Sequence, residues 1–280
     1  SMPGGRAGRP CDYDAIMALV QDDEVKRNFR PSNVLQEKMG RPLVLSDAAH
    51  SLGAWYKGKR TGAVADITVF SFHAVKNLTT AEGGAICLAL PNSFDAQEIY
   101  KQLCTFSLHG QSKDALAKTQ IGNWRYDVYE CGYKCNMTDV AAAMGLVELA
   151  RYDSMVLKRR KEIFDAYTQA FESDVRFQLP EYETTDKTSS YHVYALRVNG
   201  VTEDQRDAIM QRIFEQEVSV NVHFIPLPML TAYKKMGYNI ADYPVTYDNY
   251  SREISLPVYF NLTDEQVQQV IKAVKNGCNG

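Results

Sequence analysis

The 280-residue chain contains no apolar stretch of the roughly 20 residues that a membrane-spanning helix needs. Its opening residues carry no signal-peptide pattern, so a cytoplasmic protein is expected. It also lacks an excess of either charge: the formal net charge of −3 creates no general field for nucleic acid or anionic lipid. The one dense basic run, Lys158-Arg159-Arg160-Lys161, has acidic neighbours in a helical pattern and reads as a solvated helix face. Cysteine is sparse and scattered (Cys11, Cys87, Cys104, Cys131, Cys135, Cys278), unlike a disulfide framework. Cys131 and Cys135 are one residue too far apart for a C-x-x-C pair, and no second ligand pair follows, so no metal is expected. A Gly-x-Gly-x-x-Gly after the first strand is missing as well. Glu82-Gly83-Gly84 does not replace it, which argues against a nicotinamide-binding domain. No internal repeat or low-complexity segment occurs.

What is present is an ordinary globular composition, 45% hydrophobic and 23% charged. A helix is expected from Asp12 to about Val20, then a charged connection, then a short helix after Pro31. Three short apolar runs follow: Pro42-Leu43-Val44-Leu45, Ile67-Thr68-Val69-Phe70 and Ala85 to Leu90. With helices around them, such runs predict an α/β sheet covered on both faces. Thr138 and Asp139 open a long helical stretch that runs through or breaks near Tyr152-Asp153. Beyond it, strands are predicted over Tyr191–Val198 and over the alternating segment Val218–Phe224. Two helices there carry capping-box patterns, Thr202 with Gln205 and Thr263 with Gln266. The last has Val267, Val270, Ile271 and Val274 as one apolar stripe.

In α/β sheets, ligands sit beyond the carboxyl ends of the strands. Asp47 and His50 follow one apolar run, Ser71 and His73 another, and Lys76 comes in the next turn. An acid, a hydroxyl and an amine at one sheet edge match the needs of pyridoxal phosphate: an amine for its aldehyde, a carboxylate to keep its pyridine nitrogen protonated, a hydroxyl for its phosphate. Taken singly, each residue is ordinary. An Asp at a strand end is often a turn former, a loop Lys is usually solvated, and a His there is commonly structural.

The combination resembles the DegT/DnrJ/EryC1/StrS family of sugar aminotransferases, which are fold-type-I pyridoxal-phosphate enzymes. The motifs that carry the resemblance are Asp47-Ala48-Ala49-His50, the Ser71–Gly84 segment, and Gly132-Tyr133-Lys134-Cys135-Asn136-Met137-Thr138-Asp139. Weaker matches are Ser190–Tyr194, Val222–Leu227 and Ser255-Leu256-Pro257. The resemblance implies an α/β fold with a central, mostly parallel sheet in a partial large cofactor domain (1–153) and a smaller α+β domain (154–280). By the same resemblance Lys76 is the Schiff-base lysine, Asp47 the partner of the pyridine nitrogen, His50 a contact near the ring's phenolic oxygen, and Ser71 a phosphate ligand. Lys134 and Asn136 would reach the cofactor phosphate of the other subunit, implying a homodimer with shared sites. His223 would line the sugar cleft. The implied reaction is ping-pong: an amino acid, usually glutamate, gives its amine, and a nucleotide-linked keto-sugar accepts it. Relatives that dehydrate sugars carry histidine in place of the lysine, so Lys76 argues for transamination.

Family members begin with a further segment, roughly the first third of the enzyme. It supplies a helix terminus for the phosphate, a ring that stacks on the cofactor, and part of the sheet. The chain is therefore expected to be either a piece of an active enzyme or a naturally short form. The second option keeps open a non-catalytic binding or regulatory partner.

Overall fold

The computed structural model describes residues 2–112, 121 and 124–279. The chain divides into two compact units: Ser1–Gly5, Cys11–Leu52 and Lys59–Ala150 form one, and Arg6–Pro10, Gly53–Gly58 and Arg151–Gly280 the other. Among the described residues, no helix is long and apolar enough to cross a membrane.

The first unit opens with α1 (Tyr13–Gln21), α2 (Asp23–Asn28) and α3 (Val34–Met39). The charged connection expected after α1 is itself helical. Asp22 caps α2 by accepting the N–H groups of Glu24 and Val25, and acids in the first turn and bases in the last complement the helix dipole. The sheet has three strands in the order β1 (Leu45–Asp47), β2 (Ile67–Ser71), β3 (Gly84–Leu88). β1 and β2 are parallel with Asp47 opposite Val69; β3 runs antiparallel to β2 with Gly84 opposite Ser71. β1 starts later than the apolar run Pro42–Leu45 predicts. Pro42 has no N–H to donate, and the Val44 N–H goes to the Asp66 carboxylate at 2.9 Å.

Asp66, only 2% exposed, also holds the Arg41 guanidinium through two hydrogen bonds of 2.7 and 2.8 Å. This clamp ties the chain before β1 to the residue before β2. The two strands are parallel and start level, Leu45 opposite Ile67, so β2 runs two residues past Asp47 and both carboxyl ends, Asp47 and Ser71, point to the same end of the sheet. Two longer helices complete the unit, α4 (Ala96–Ser107) and α5 (Asp139–Arg151). The apolar residues Val140, Met144, Val147 and Leu149 of α5 are exposed.

In the second unit a π-helical turn over Tyr152–Leu157 leads into α6 (Lys158–Phe171), consistent with a break near Tyr152-Asp153. Ile163, Phe164, Tyr167 and Phe171 bury one face of α6. The Phe164 ring meets Tyr182, Tyr191 and Tyr194 edge-on with centroids 5.2, 5.4 and 5.0 Å away. The solvated reading of the basic run fails at Arg160, which is 5% exposed. Its guanidinium donates to the carbonyls of Tyr191 and His192, each at 3.0 Å. Arg159 and Lys161 pair with acids at the surface, as expected.

The second sheet is antiparallel, in the order β4 (Phe177–Gln178), β5 (Tyr194–Val198), β6 (Glu253–Leu256). β5 begins three residues later than predicted because Tyr191 adopts φ 54°, a left-handed conformation that cannot continue a ladder. Around it lie α7 (Glu203–Phe214), α8 (Pro244–Arg252) and α9 (Asp264–Gly277). Both capping boxes form as the sequence predicts, and Val267, Val270, Ile271 and Val274 are buried. Thr263→Ala is expected to cost about 1 kcal/mol, read as a lower urea midpoint at an unchanged slope.

The strand predicted over Val218–Phe224 does not form. Val218 and Val220 are buried, but only Asn221 joins a ladder, exchanging hydrogen bonds of 3.1 and 2.7 Å with Ser255. That register sets His223 opposite Glu253, where the next backbone exchange would fall. Instead, the Glu253 carbonyl accepts from the buried Arg206 at 2.9 Å, and the His223 N–H turns to the Glu253 carboxylate at 3.0 Å.

Candidate active site

Strand polarity and the Asp66 clamp bring Asp47, Ser71 and Lys76 to one side of the first unit. Asp47 is the last residue of β1. Its N–H donates to the Pro3 carbonyl at 2.9 Å, its own carbonyl accepts the Gly5 N–H at 3.0 Å, and its Oδ1 accepts the Ala49 N–H at 3.1 Å. The carboxylate remains exposed. His50 lies half-buried in the turn that follows. Ser71 ends β2 half-buried, its hydroxyl within 3.4 Å of the His73 N–H.

Lys76 rides on a loop closed at its base by two backbone bonds: Phe72 N–H to the Gly83 carbonyl at 2.8 Å and Thr80 N–H to the Phe72 carbonyl at 2.9 Å. Within the loop the Lys76 N–H donates to the His73 carbonyl at 2.9 Å. The Gly83-Gly84 pair is what allows this closure. A Cβ at Gly84 would stand 2.6 Å from the Phe70 carbonyl oxygen, and one at Gly83 would stand 2.4 Å from Thr80 Oγ1. The Gly83-Gly84 pair is therefore the seam of the lysine loop.

The Lys76 amine is half-buried, and burial lowers its pKa below the ordinary lysine value by disfavouring the ammonium. The Asp47 charge opposes this, since a nearby carboxylate stabilises the ammonium. Removing that charge must then lower the pKa further. Asp47→Asn is expected to move the pH midpoint for acylation of Lys76, followed by peptide mass spectrometry, to lower pH; a rise or no change would show the two groups are not in contact electrostatically.

Lys134 and Asn136 are exposed neighbours that hydrogen-bond to each other, Nζ to Oδ1. Their segment lies along the end of α4: His109 N–H donates to the Tyr133 carbonyl, and the Cys135 and Asn136 N–H groups both donate to Ser107. Asn136 also borders an apolar cavity of about 640 Å³ with Phe72, Leu78, Ile86, Tyr100 and Leu146; Asp47, Ser71 and Lys76 are not on its wall. The strand ends thus bring Asp47, Ser71 and Lys76 to one side of the unit, while Lys134 and Asn136 lie in a segment beside α4 that shares a cavity with Phe72 and Leu78.

His223 belongs to the second unit. Its Nδ1 lies 2.8 Å from Ser255 Oγ, which in turn donates to Glu253 Oε1. His223 and Glu253 border a cavity of about 210 Å³ with Arg9, Glu181, Arg197 and Asn249. Sequence reasoning named His223 for the cleft, Ser255 only within a weaker motif match, and Glu253 not at all. Their signal was the spacing, since two polar residues two apart in a strand share a face.

A model of the DegT/DnrJ/EryC1/StrS aminotransferase family matches residues 35–275. The chain belongs to this family. It is 37% identical over 277 residues to an uncharacterized protein, MJ1066, of Methanocaldococcus jannaschii, covering 98% of the chain and 65% of that protein. To the spore coat polysaccharide biosynthesis protein SpsC of Bacillus subtilis it is 36% identical over 279 residues, again 98% and 65%. The chain thus spans just under two thirds of the length of these relatives. Among solved structures, it superposes on Spr1654 of Streptococcus pneumoniae, described as a sugar aminotransferase. The PMP form gives a TM-score of 0.92 at 43% identity over 99% of this chain and 69% of that one; the PLP form gives 0.91 at 40% over 99% and 68%. The expected α/β, fold-type-I aminotransferase fold is therefore the fold of this family member.

Proposed function

We propose that the protein of this chain is a pyridoxal-phosphate-dependent aminotransferase that moves an amino group from an amino acid, glutamate foremost, to a nucleotide-linked keto-sugar. The observation that carries the reading is Lys76: an amine held on a closed loop at the edge of two parallel strands, its proton loosened by burial and its charge answered by Asp47. Membership of the family supports it, and the Bacillus subtilis relative points toward polysaccharide biosynthesis.

The donor set fits the cofactor. Lys76 would hold its aldehyde, Asp47 its pyridine nitrogen, Ser71 its phosphate, and His50 would lie near its phenolic oxygen. Lys134 and Asn136, both exposed, would serve the phosphate of a second copy in a homodimer with shared sites. When bound, pyridoxal phosphate supplies an aldehyde that takes up the amino group and a ring that delocalises the electron pair left at the substrate carbon. Lys76 would take the proton from the donor's α-carbon as a base and give it up again as an acid, its lowered pKa favouring the neutral amine. Asp47, as the ion, keeps a proton on the ring nitrogen by direct charge attraction. His223 lines the cleft for the sugar. Residues 1–153 would form the cofactor-binding domain and 154–280 the smaller domain that carries His223.

Among the described residues none of the cysteines is in a disulfide, which suits a reducing cytoplasm. The lysine and its carboxylate favour catalysis over a purely binding or regulatory role. The reading is tested by adding pyridoxal phosphate and following the visible absorbance. Glutamate is expected to bleach the band and a nucleotide-linked keto-sugar to restore it. A band that ignores every amino acid tested would overturn the reading.

A further inference from the structure

The buried carboxylate of Glu253 has a use that the aminotransferase reading does not assign. It sits 4% exposed at the start of β6. Two residues on, Ser255 occupies the same face of the strand, and His223 is brought opposite by the reciprocal backbone bonds between Asn221 and Ser255. Arg206 takes the Glu253 carbonyl, so the His223 N–H falls to Glu253 Oε2, leaving Oε1 to accept the Ser255 hydroxyl. The result is a line of contacts from carboxylate to hydroxyl to imidazole Nδ1.

Hydrogen counting then decides the state of the imidazole. An ionised carboxylate accepts only, and a serine hydroxyl has one hydrogen to give. Ser255 gives its hydrogen to Glu253, so toward His223 its oxygen can only accept. The hydrogen in the 2.8 Å contact between Ser255 Oγ and His223 Nδ1 must therefore come from the imidazole. A neutral ring that donates from Nδ1 is an acceptor at Nε2.

We propose that Glu253 and Ser255 are positioning residues that lock His223 in its Nδ1–H tautomer, making Nε2 the acceptor of the ring. Resting on the reading of His223 as a wall of the sugar cleft, this sets what the residue recognises. Through Nε2 it takes a hydroxyl or N–H donor, as a polyhydroxylated ligand offers, and does not donate to a carbonyl. Arg9 and Arg197 line the same cavity; each gives an N–H inside the protein, to Glu181 and Asn249, and a guanidinium carries five N–H donors in all. Glu253 and Ser255 do not touch the ligand; they act through the ring.

The test is a histidine ¹⁵N correlation spectrum of the full chain, recorded above the ordinary imidazole pKa. The chain has five histidines, and the His223 signals are identified by their loss in His223→Gln. The wild type is expected to show a protonated Nδ1 and an unprotonated Nε2. Ser255→Ala is expected to let the ring relax toward the Nε2–H form that free histidine favours in water, and Glu253→Gln to weaken the preference without removing the serine. A wild-type ring protonated at Nε2, or at both nitrogens, overturns the proposal without any need for a variant to fold. A protonated Nδ1 that survives both substitutions, in variants with wild-type thermal melts, overturns it as well. The spectrum needs neither cofactor nor turnover, so its outcome is independent of whether the chain transfers amino groups.

Discussion

Replacing Lys76 with alanine is expected to lower the rate of amino transfer by at least the ~10²–10⁴-fold that a positioned proton-transfer group supplies. On the proposed reading two functions would be lost together: the covalent hold on the cofactor aldehyde and the amine that carries the proton. Neither neighbour can take them over. The Ser71 hydroxyl meets the His73 backbone N–H, not a base, and Asp47 would be held at the ring nitrogen. Lys76→Arg separates charge from chemistry, because it keeps a cation in the loop but offers no amine that deprotonates near neutrality. It should be as inactive as the alanine variant. If arginine restored even a tenth of the rate, Lys76 would be acting as a charge and not as an acid–base group. Both variants should keep the wild-type thermal melt, since a half-buried loop side chain contributes little to the core.

Removing Asp66 is expected to destabilise the first unit by about 3–5 kcal/mol, the range for breaking one side of a buried ion pair. Arg41 has few alternatives. It is buried, and Asp66 both accepts its two hydrogen bonds and raises its pKa. Asp66→Ala also strips the acceptor from the Val44 N–H at the entry to β1. The effect should reach the site, because the clamp is what levels β1 with β2 and so sets Asp47 against Lys76. Urea denaturation should show the lost stability, and cofactor affinity should fall with it. The double replacement Arg41→Met with Asp66→Leu removes both charges and should recover most of the stability. Failure of that recovery would mean the pair is not the cause.

The candidate site was easier to read in the sequence than the bounds of the strands beside it. Asp47, Ser71 and Lys76 were legible because chemistry-bearing side chains at strand ends follow from the α/β rule. The edges of β1 were not, because the apolar run Pro42–Leu45 looks like a strand while its backbone hydrogen bonds are diverted to Asp66. The alternation over Val218–Phe224 was likewise real in burial and misleading in pairing. No periodicity reveals that Arg206 has taken the carbonyl His223 would have used. Arg160 shows the same limit from another side: a base in a charged run is solvated only if no carbonyl lies beneath it, and here two do. Helix caps were read correctly where the signal is contained within four residues, at Thr202 and Thr263. At Asp22 the same kind of cap went unread behind a dense run of charge.

The central claim is that Lys76 is the residue that holds the cofactor, and it can be examined directly. The chain is mixed with pyridoxal phosphate, reduced with borohydride, digested and mapped by mass spectrometry. The aminotransferase reading predicts a stable pyridoxyl mass on the peptide containing Lys76, and its absence in Lys76→Ala. A pyridoxyl label spread over surface lysines, or concentrated on another one while Lys76 stays unmodified, would contradict it.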